Sequence, residues 1–287
     1  MKLYAPKYYS QFKCIADRCR HSCCIGWEID IDPATLNNYS AISHPYGENI
    51  RKSIEDGHFR LADRDRCPHL DECGLCRIIC ELGEDHLCDI CREHPRFYSY
   101  NSRGCFVGLG LSCEEACRII LGSDSYRDFE VIDELDEEIE DLGFDAIGKI
   151  QKVYDILSDR SVEYSERIGR IAATYSLPSV LDREILSSLE YLEEDHRELF
   201  INAPSAAFDV NSEICERALA YFIFRHCSCT ADEFEFRAAL GFALFCEDLL
   251  RAMSAGECDI FEIARIISEE LEYSEDNTES IKTEYIF

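Results

Sequence analysis

Cysteine is distributed very unevenly along this chain of 287 residues, and that distribution restricts what the first half can fold into. Thirteen of the 18 cysteines lie within the first 117 residues. The N-terminal group runs from Cys14 to Cys24 with the spacing C-x4-C-x3-C-C, so four thiols fall within eleven residues. A chain of this length can bury a sufficient core without covalent cross-links. So many clustered thiols therefore indicate a dedicated chemical role.

A second group of cysteines occupies residues 66–97, which read RCPHLDECGLCRIICELGEDHLCDICREHPRF. It contains two C-x2-C pairs, a spacing that lets one tight turn present two thiolates to the same metal. We therefore interpret the two groups as the two halves of a metal site. The cysteines of the second group are Cys67, Cys73, Cys76, Cys80, Cys88 and Cys91.

Whether these thiols bind metal or form disulfides depends on the redox conditions of the cellular compartment. Residues 1–12 lack the apolar segment of a secretory signal, and no apolar run approaches the roughly 18 residues of a membrane span. We therefore expect a cytoplasmic protein, where reducing conditions favour metal ligands or reactive thiols over disulfides. The even number of cysteines leaves a disulfide framework as the alternative.

The identity of the metal stays open between zinc and iron–sulfur. Zinc would need two tetrahedral sites, each with four thiolates or with a contribution from His21 or His94. An iron–sulfur cluster would use four thiolates and leave the others structural. The absence of clear zinc-finger spacing favours the cluster slightly. The C-x3-C-x2-C triplet of radical S-adenosylmethionine enzymes and the GxGxxG unit of Rossmann folds do not occur.

Charge and periodicity separate the chain into two parts. The formal charge is −29, of which residues 1–122 carry −3 and residues 123–287 carry −26. An acidic surface disfavours nucleic-acid binding and attracts lysine-bearing protein partners. We predict a mainly α fold: a cysteine-rich metal-binding domain over 1–122 with short helices and little strand, then an acidic helical bundle or array over 123–287.

Local signals predict individual elements. Pro33 after Asp32 predicts a helix start, and the glycines within residues 104–113 favour a buried strand or loop over a helix. The acidic run 128–142 has helical spacing of apolar residues. Single residues have ordinary interpretations: Trp27 as a core anchor, His196 as a solvated side chain, and Cys215, Cys246 and Cys258 as small core residues. The remaining helices are predicted at 146–158, 163–175, 181–200, 214–226, 234–253 and 258–273.

Several blocks together resemble the flagellin lysine-N-methylase family. They are FKCIADRCRHSCCIGWEIDID, CPHL, GLCRI, LGEDHLCDICREHPRF and GLGLSCEEACRIIL. More distantly, the cysteine pattern is similar to small proteins described as zinc- or iron-chelating domains. The family resemblance implies methyl transfer from S-adenosylmethionine to lysine side chains of flagellin, with a cysteine-bound iron–sulfur cluster of the 4Fe–4S type. Members of the family extend further at the C-terminus, so a contact located there would be absent from this chain.

The resemblance also implies which cysteines bind the metal. Cys88 varies within the family, whereas Cys73, Cys80, Cys105 and Cys117 are additions in this chain. Eight candidates for a four-ligand cluster leave the assignment open. The cysteines that match the family pattern are Cys14, Cys19, Cys23, Cys24, Cys67, Cys76, Cys91 and Cys113.

Our first hypothesis from the sequence is a lysine N-methyltransferase acting on flagellin, without nucleic-acid or membrane partners. The substrate lysine must lose its proton before it attacks a methyl sulfonium, and Glu114 and Glu115 are candidate bases through proximity to Cys113. The second hypothesis is a non-catalytic zinc- or iron-binding protein whose acidic helices bind a partner. A third, redox sensing, would require an exposed cysteine with a low pKa.

Overall fold

The structure is a computed structural model that describes residues 1–136, 143–178, 182–204, 211–254 and 259–285. The fold is mainly α, as the sequence predicts. The chain divides into two compact units. The cysteine unit contains residues 13–96 and 113–115, and the helical unit contains residues 1–12, 97–112 and 116–287. The predicted domains, 1–122 and 123–287, stay a prediction, and the compact units do not follow that boundary.

The described residues form six strands and twelve α-helices. In chain order they are β1 Lys2–Pro6, α1 Pro33–Ala41, α2 Gly47–Ser53, β2 Ile54–Glu55, β3 His58–Phe59, α3 Arg77–Leu82, α4 Asp89–Glu93, β4 Arg96–Asn101, β5 Gly104–Leu109, α5 Glu114–Gly122, β6 Phe129–Glu134, α6 Ala146–Leu157, α7 Tyr164–Thr174, α8 Glu194–Ile201, α9 Ser212–Cys227, α10 Glu233–Met253, α11 Ile260–Ile267 and α12 Glu275–Thr283.

The cysteine unit is built around one small apolar core. Tyr39, Ile50 and Phe59 are almost completely buried there, and several cysteines pack against them. Helix α1 begins where the sequence predicts, because the Asp32 side chain caps it by accepting a hydrogen bond from the Thr35 amide at 2.8 Å. The helices and strands of this unit are few and short, so turns and the contacts of its cysteines make up much of its structure.

The helical unit contains a four-stranded sheet with the strand order β4-β5-β1-β6. β1 pairs parallel to β5 and antiparallel to β6. The prediction of a strand within 104–113 is confirmed, and every residue of β5 is buried. The helical prediction for 128–142 is wrong where the structure describes it: Phe129–Glu134 is strand β6, and residues 137–142 lie outside the described residues.

Helices α9 and α10 form the centre of the helical core. Phe222 and Phe242 are fully buried, and Phe224 contacts the sheet through Phe129 with the ring centroids 5.1 Å apart. Cys215 and Cys246 are buried core residues, as predicted. Cys258 lies outside the described residues. No helix in the described ranges is long and apolar enough to span a membrane.

The helical unit also buries several carboxylates, each with a cationic or hydrogen-bonding partner. Glu216 accepts from Arg167 at 2.6 Å, and Glu247 accepts from the Tyr164 hydroxyl at 2.9 Å. A π-helical turn, Ser268–Glu272, follows α11 and places Glu270 2.6 Å from His196. The prediction that His196 is a solvated side chain is therefore wrong, because it is half-buried against a buried carboxylate.

Candidate metal centre

All eight cysteines that match the family pattern lie in the cysteine unit. Seven of them fall within residues 13–96, and Cys113 belongs to the short segment 113–115 of the same unit. Two of the additional cysteines, Cys105 and Cys117, are buried in the helical unit instead. None of the described cysteines forms a disulfide. The structure therefore gathers the candidate ligands into one compact unit and keeps their thiols available.

Backbone pairing brings the two cysteine groups of the sequence together. The Cys67 amide donates to the Cys24 carbonyl at 2.8 Å, and a β-bridge joins their neighbours Ile25 and Arg66. Gly26 supports the pairing, because its φ of +83° is accessible to glycine at little cost and its amide donates to a carbonyl of the opposite segment. Cys24 therefore faces the second group, as a two-half site requires.

The loop from Cys67 to Cys76 is fixed by His69, which sequence reasoning did not single out. The imidazole is 2% exposed; its Nδ1 lies 2.8 Å from the Tyr46 hydroxyl and its Nε2 2.9 Å from the Ser53 hydroxyl. Burial, aided by the nearby Arg77 charge, lowers the pKa of His69 to about 4. Since both ring nitrogens are engaged, His69 holds the loop in place and leaves metal binding to the thiols.

The C-x2-C pair at Cys88 and Cys91 lies at the start of α4. Cys88 is the residue that precedes the helix, and the Cys91 thiol donates a hydrogen bond to the Cys88 sulfur. That bond lowers the pKa of Cys88 and raises the pKa of Cys91. The pair therefore reaches the singly ionised state more readily than an isolated buried thiol would.

The adjacent cysteines Cys23 and Cys24 behave in the same way. The hydrogen bond donated by the Cys23 thiol lowers the pKa of Cys24, against the opposing effect of burial, to about 7. The Arg66 guanidinium and the Ser22 hydroxyl also favour the Cys24 thiolate. Cys24 is therefore prepared to ionise near neutral pH, which is the state that binds metal.

Glu114 connects the Cys113 segment to the first cysteine group. Its carboxylate accepts from the Arg20 amide at 2.8 Å, the His21 amide at 3.3 Å and the Cys19 thiol at 3.7 Å. Burial opposes ionisation of this carboxyl, but the hydrogen bonds and the Arg20 charge together lower its pKa. Glu114 is thus a poor candidate for a general base, and its contacts make it an anchor that keeps Cys113 beside Cys19.

The donor set fits a thiolate-bound metal, although the thiols have not converged. Two pairs of thiols already lie within hydrogen-bonding distance, and soft thiolates are the ligands that zinc and iron–sulfur clusters prefer. Among the described residues, no three side chains of His, Cys, Asp or Glu are grouped closely enough to hold a metal ion. Metal binding would therefore have to draw the thiols inward. Cys73 and Cys80 are exposed on the same unit.

Comparison with known proteins identifies relatives of part of the chain. A lysine-N-methylase of Salmonella typhimurium and one of Salmonella choleraesuis are each 28% identical over 130 residues, which cover 40% of this chain and 31% of each relative. The flagellar biosynthetic protein FliU of Salmonella muenchen is 29% identical over 129 residues, covering 40% of this chain and 75% of FliU. The match thus spans about a third of the length of the two methylases. No family model matches the chain, and no solved structure matches it.

Proposed function

We propose that this chain is a cytoplasmic S-adenosylmethionine-dependent methyltransferase that methylates lysine side chains of flagellin and binds a metal centre through its cysteines. The observation that carries the proposal is the similarity to two proteins named lysine-N-methylase and to a flagellar biosynthetic protein. The collection of the eight family-pattern cysteines in one unit supports the metal-binding part. We propose an iron–sulfur cluster of the 4Fe–4S type, with zinc as the alternative.

The proposed reaction requires a deprotonated substrate lysine and a protein site that produces it. A lysine ammonium must lose a proton before its nitrogen attacks the methyl sulfonium, so the site must contain a base or desolvate the amine. Glu114 is engaged by four donors and is not proposed for this role. A cysteine-bound centre, when present, would offset part of the negative charge of its thiolate ligands and would order the surrounding loops.

The acidity of the second half favours a lysine-bearing substrate. Residues 123–287 carry a net charge of −26, and exposed carboxylates on α8 include Glu194 and Asp195. Such a surface raises the encounter rate with a basic partner and lowers it for nucleic acid. This contribution should weaken as salt is added, because exposed charges are screened over about 10 Å at 0.1 M.

The direct test of the enzyme is transfer of a labelled methyl group from S-adenosylmethionine to purified flagellin. The expected result is label on lysine, found by peptide mass spectrometry, and none on flagellin whose lysines have been acetylated beforehand. Protein purified and assayed without oxygen keeps the proposed cluster intact. Absence of label from metal-loaded, folded protein would contradict the methyltransferase proposal while leaving metal binding in place.

The direct test of the metal centre is metal content of single-site variants. Cys23→Ser and Cys91→Ser should lower the metal bound per chain, because each removes a candidate ligand. Cys246→Ser is the matched control, since that thiol is buried in the helical core and should leave the metal unchanged. Full metal retention in both ligand variants would refute the ligand assignment. A brown protein with broad absorption would identify a cluster, and colourless protein with stoichiometric zinc would exclude it.

A second function is favoured by the limited extent of the match. Because the similar segment covers only 31% of each lysine-N-methylase, the chain can share their metal-binding part without their activity. In that case the cysteine unit binds zinc or iron, and the acidic helices bind a partner without catalysis. Metal binding with no methyl transfer in the two tests above would select this function.

A further inference from the structure

We propose that the outer edge of strand β6, Phe129–Glu134, is a docking site for an extended, lysine-bearing segment of a partner protein, which adds to the sheet as a further strand. We call this surface the β6 edge. The inference concerns binding alone. It applies equally to a substrate that is methylated and to a partner that is only bound, and it requires no metal in the cysteine unit.

Strand β6 is the last strand of the four-stranded sheet in the helical unit. It pairs antiparallel with β1, from Lys2 opposite Glu134 to Pro6 opposite Phe129. No backbone hydrogen bond joins residues 129–134 to any described segment other than β1. The backbone groups that point away from β1 therefore form an open edge within the described part of the chain, and such an edge is a template for another strand.

The exposure of the side chains agrees with an open edge. Phe129 contacts Phe224 in the helical core, whereas the five residues that follow it in β6 are all exposed. Two of the five are apolar, with Val131 47% exposed and Ile132 40% exposed. A β-bulge also leaves Ile132 without a register partner on β1. The strand thus offers apolar surface as well as backbone groups to an added strand.

The charge of the strand favours a basic occupant. Three of its six residues are carboxylates, and none of the three forms an ion pair with another residue that the structure describes. By contrast, Asp128, just before the strand, pairs with Lys7 at 3.3 Å. Opposite charges on neighbouring strands stabilise their pairing, and like charges destabilise it. Lysines of an added strand would therefore find carboxylates that lack a cationic partner. The three carboxylates are Glu130, Asp133 and Glu134.

The same charges disfavour a second copy of this chain as the occupant. If β6 of one copy added to β6 of another, carboxylates would lie beside carboxylates, in molecules that each carry a formal charge of −29. The strand at the other end of the sheet, β4, reads RFYSYN and contains an arginine but no carboxylate. Charge complementarity therefore selects a basic segment and directs it to β6 rather than to β4.

The dimensions of β6 define the segment that fits it. A strand of this length spans about 20 Å, so a segment of about six extended residues matches it. Successive side chains of a strand point to opposite faces of the sheet. A segment in which lysine alternates with an apolar β-branched residue supplies lysines for the carboxylates and apolar contacts for Val131 and Ile132.

Binding of a defined peptide tests the site. The probe is a fluorescent, end-blocked peptide of that length in which lysine and valine alternate, and anisotropy at low salt measures its dissociation constant for the full chain. Removing three opposite-charge pairs should weaken binding about tenfold in the variant Glu130→Gln/Asp133→Asn/Glu134→Gln. The matched control, Glu193→Gln/Asp195→Asn/Glu198→Gln, removes the same charges from exposed positions in and beside α8 and should leave the dissociation constant unchanged.

Methylation of the peptide backbone tests strand addition itself. Every second residue of an added strand hydrogen-bonds to β6, so of two peptides N-methylated at odd or at even residues, one should lose binding and the other should keep it. The unmodified peptide should also slow amide hydrogen exchange within residues 129–134 and leave exchange in α8 unchanged. This readout uses the unsubstituted chain and does not depend on the folding of a variant.

Four results would overturn the proposal. They are no binding of the lysine–valine peptide, equal weakening by the two triple variants, equal binding of the two N-methylated peptides, and self-association of the chain that the β6 variant abolishes. The last would assign the β6 edge to a second copy. None of these experiments measures methyl transfer to flagellin, so the enzyme proposal is tested separately.

Discussion

The two units of this chain treat their ionisable groups in opposite ways. In the helical unit every buried carboxylate discussed above has a partner within the same unit, such as Arg167 for Glu216 and His196 for Glu270. In the cysteine unit, the hydrogen bonds that Cys23 and Cys91 donate to neighbouring sulfurs raise the pKa of both thiols, and burial and the charge of nearby thiolates raise it further. The helical unit pairs these buried carboxylates with its own side chains, whereas in the proposed function a bound cation would offset the thiolate charge of the cysteine unit.

The largest effect should follow metal removal. Chelation should raise backbone hydrogen exchange throughout residues 13–96 and leave helices α9 and α10 protected. Structural thiolate sites contribute apparent binding free energies of about 10 kcal/mol or more, and the cysteine unit has only a small apolar core to replace that contribution. Hydrogen exchange followed by mass spectrometry checks this result. Equal loss of protection in both units would break the comparison between them.

The next largest effect should come from the buried ion pair of the helical unit. Arg167→Met removes the 2.6 Å partner of buried Glu216 and leaves only Arg160, at 3.1 Å, and the Tyr126 hydroxyl, so we expect a loss of about 3 kcal/mol in unfolding free energy. Arg170→Met is the matched control, because its guanidinium is exposed and pairs with exposed Glu166, which should change stability by less than about 1 kcal/mol. Denaturant unfolding measures both variants. Similar losses in the two would contradict the role of the buried pair.

The pH dependence of the helical unit should contain a contribution from Glu247. Burial raises its pKa to about 7 against the lowering influence of Arg251, so the folded state keeps a proton that the unfolded chain releases near pH 4.5. Unfolding free energy should therefore fall by about 3 kcal/mol as the pH rises from 4.5 to 7. Glu247→Gln should remove this part of the slope, whereas Glu166→Gln, which is exposed, should preserve it. Thermal unfolding across that pH range decides between the two results.

The smallest effect should come from the cap of α1 in the cysteine unit. Asp32 accepts from the Thr35 amide at 2.8 Å and from the Asp89 amide at 3.0 Å, and it thereby joins α1 to the helix that contains Cys91. Asp32→Ala should cost about 1–2 kcal/mol in unfolding free energy and increase the rate at which EDTA removes bound zinc from zinc-loaded protein. Exposed Asp63, substituted in the same way, should leave both quantities unchanged. Unchanged zinc release in Asp32→Ala would show that the two helices are held by other contacts.

The sequence predicts the elements whose signals are local. The Asp32–Pro33 start of α1 and the continuous apolar faces of α9 and α10 depend on neighbours within a few turns, and the structure agrees with them. Strand β6 was missed because its acidic run has helical spacing, whereas its structure depends on pairing with β1 and on the contact of Phe129 with Phe224. Tertiary contacts of this kind override local propensity.

The sequence identifies which cysteines are candidate ligands, but it does not predict how the structure arranges them. Spacing alone indicates that the cysteines of the two groups act together, and the backbone pairing of Cys24 with Cys67 agrees with that interpretation. Two features arrange the cysteine-bearing loops, and neither has a signature in the spacing. They are the buried contacts of His69 and the hydrogen bonds of Glu114 to Arg20 and His21. Both depend on residues far apart in the chain.

The position of β1 determines when each unit can form during synthesis. Its register partners on β5, residues 105 and 106, and on β6, residues 129–134, follow it by about a hundred residues or more, so the sheet cannot close until they have left the ribosome. The main segment of the cysteine unit, residues 13–96, is complete earlier, and only 113–115 arrives with the later strands. Of the eight family-pattern thiols, all except Cys113 are synthesised by residue 91, so the cysteine unit can begin to fold while the helical unit is still an open chain.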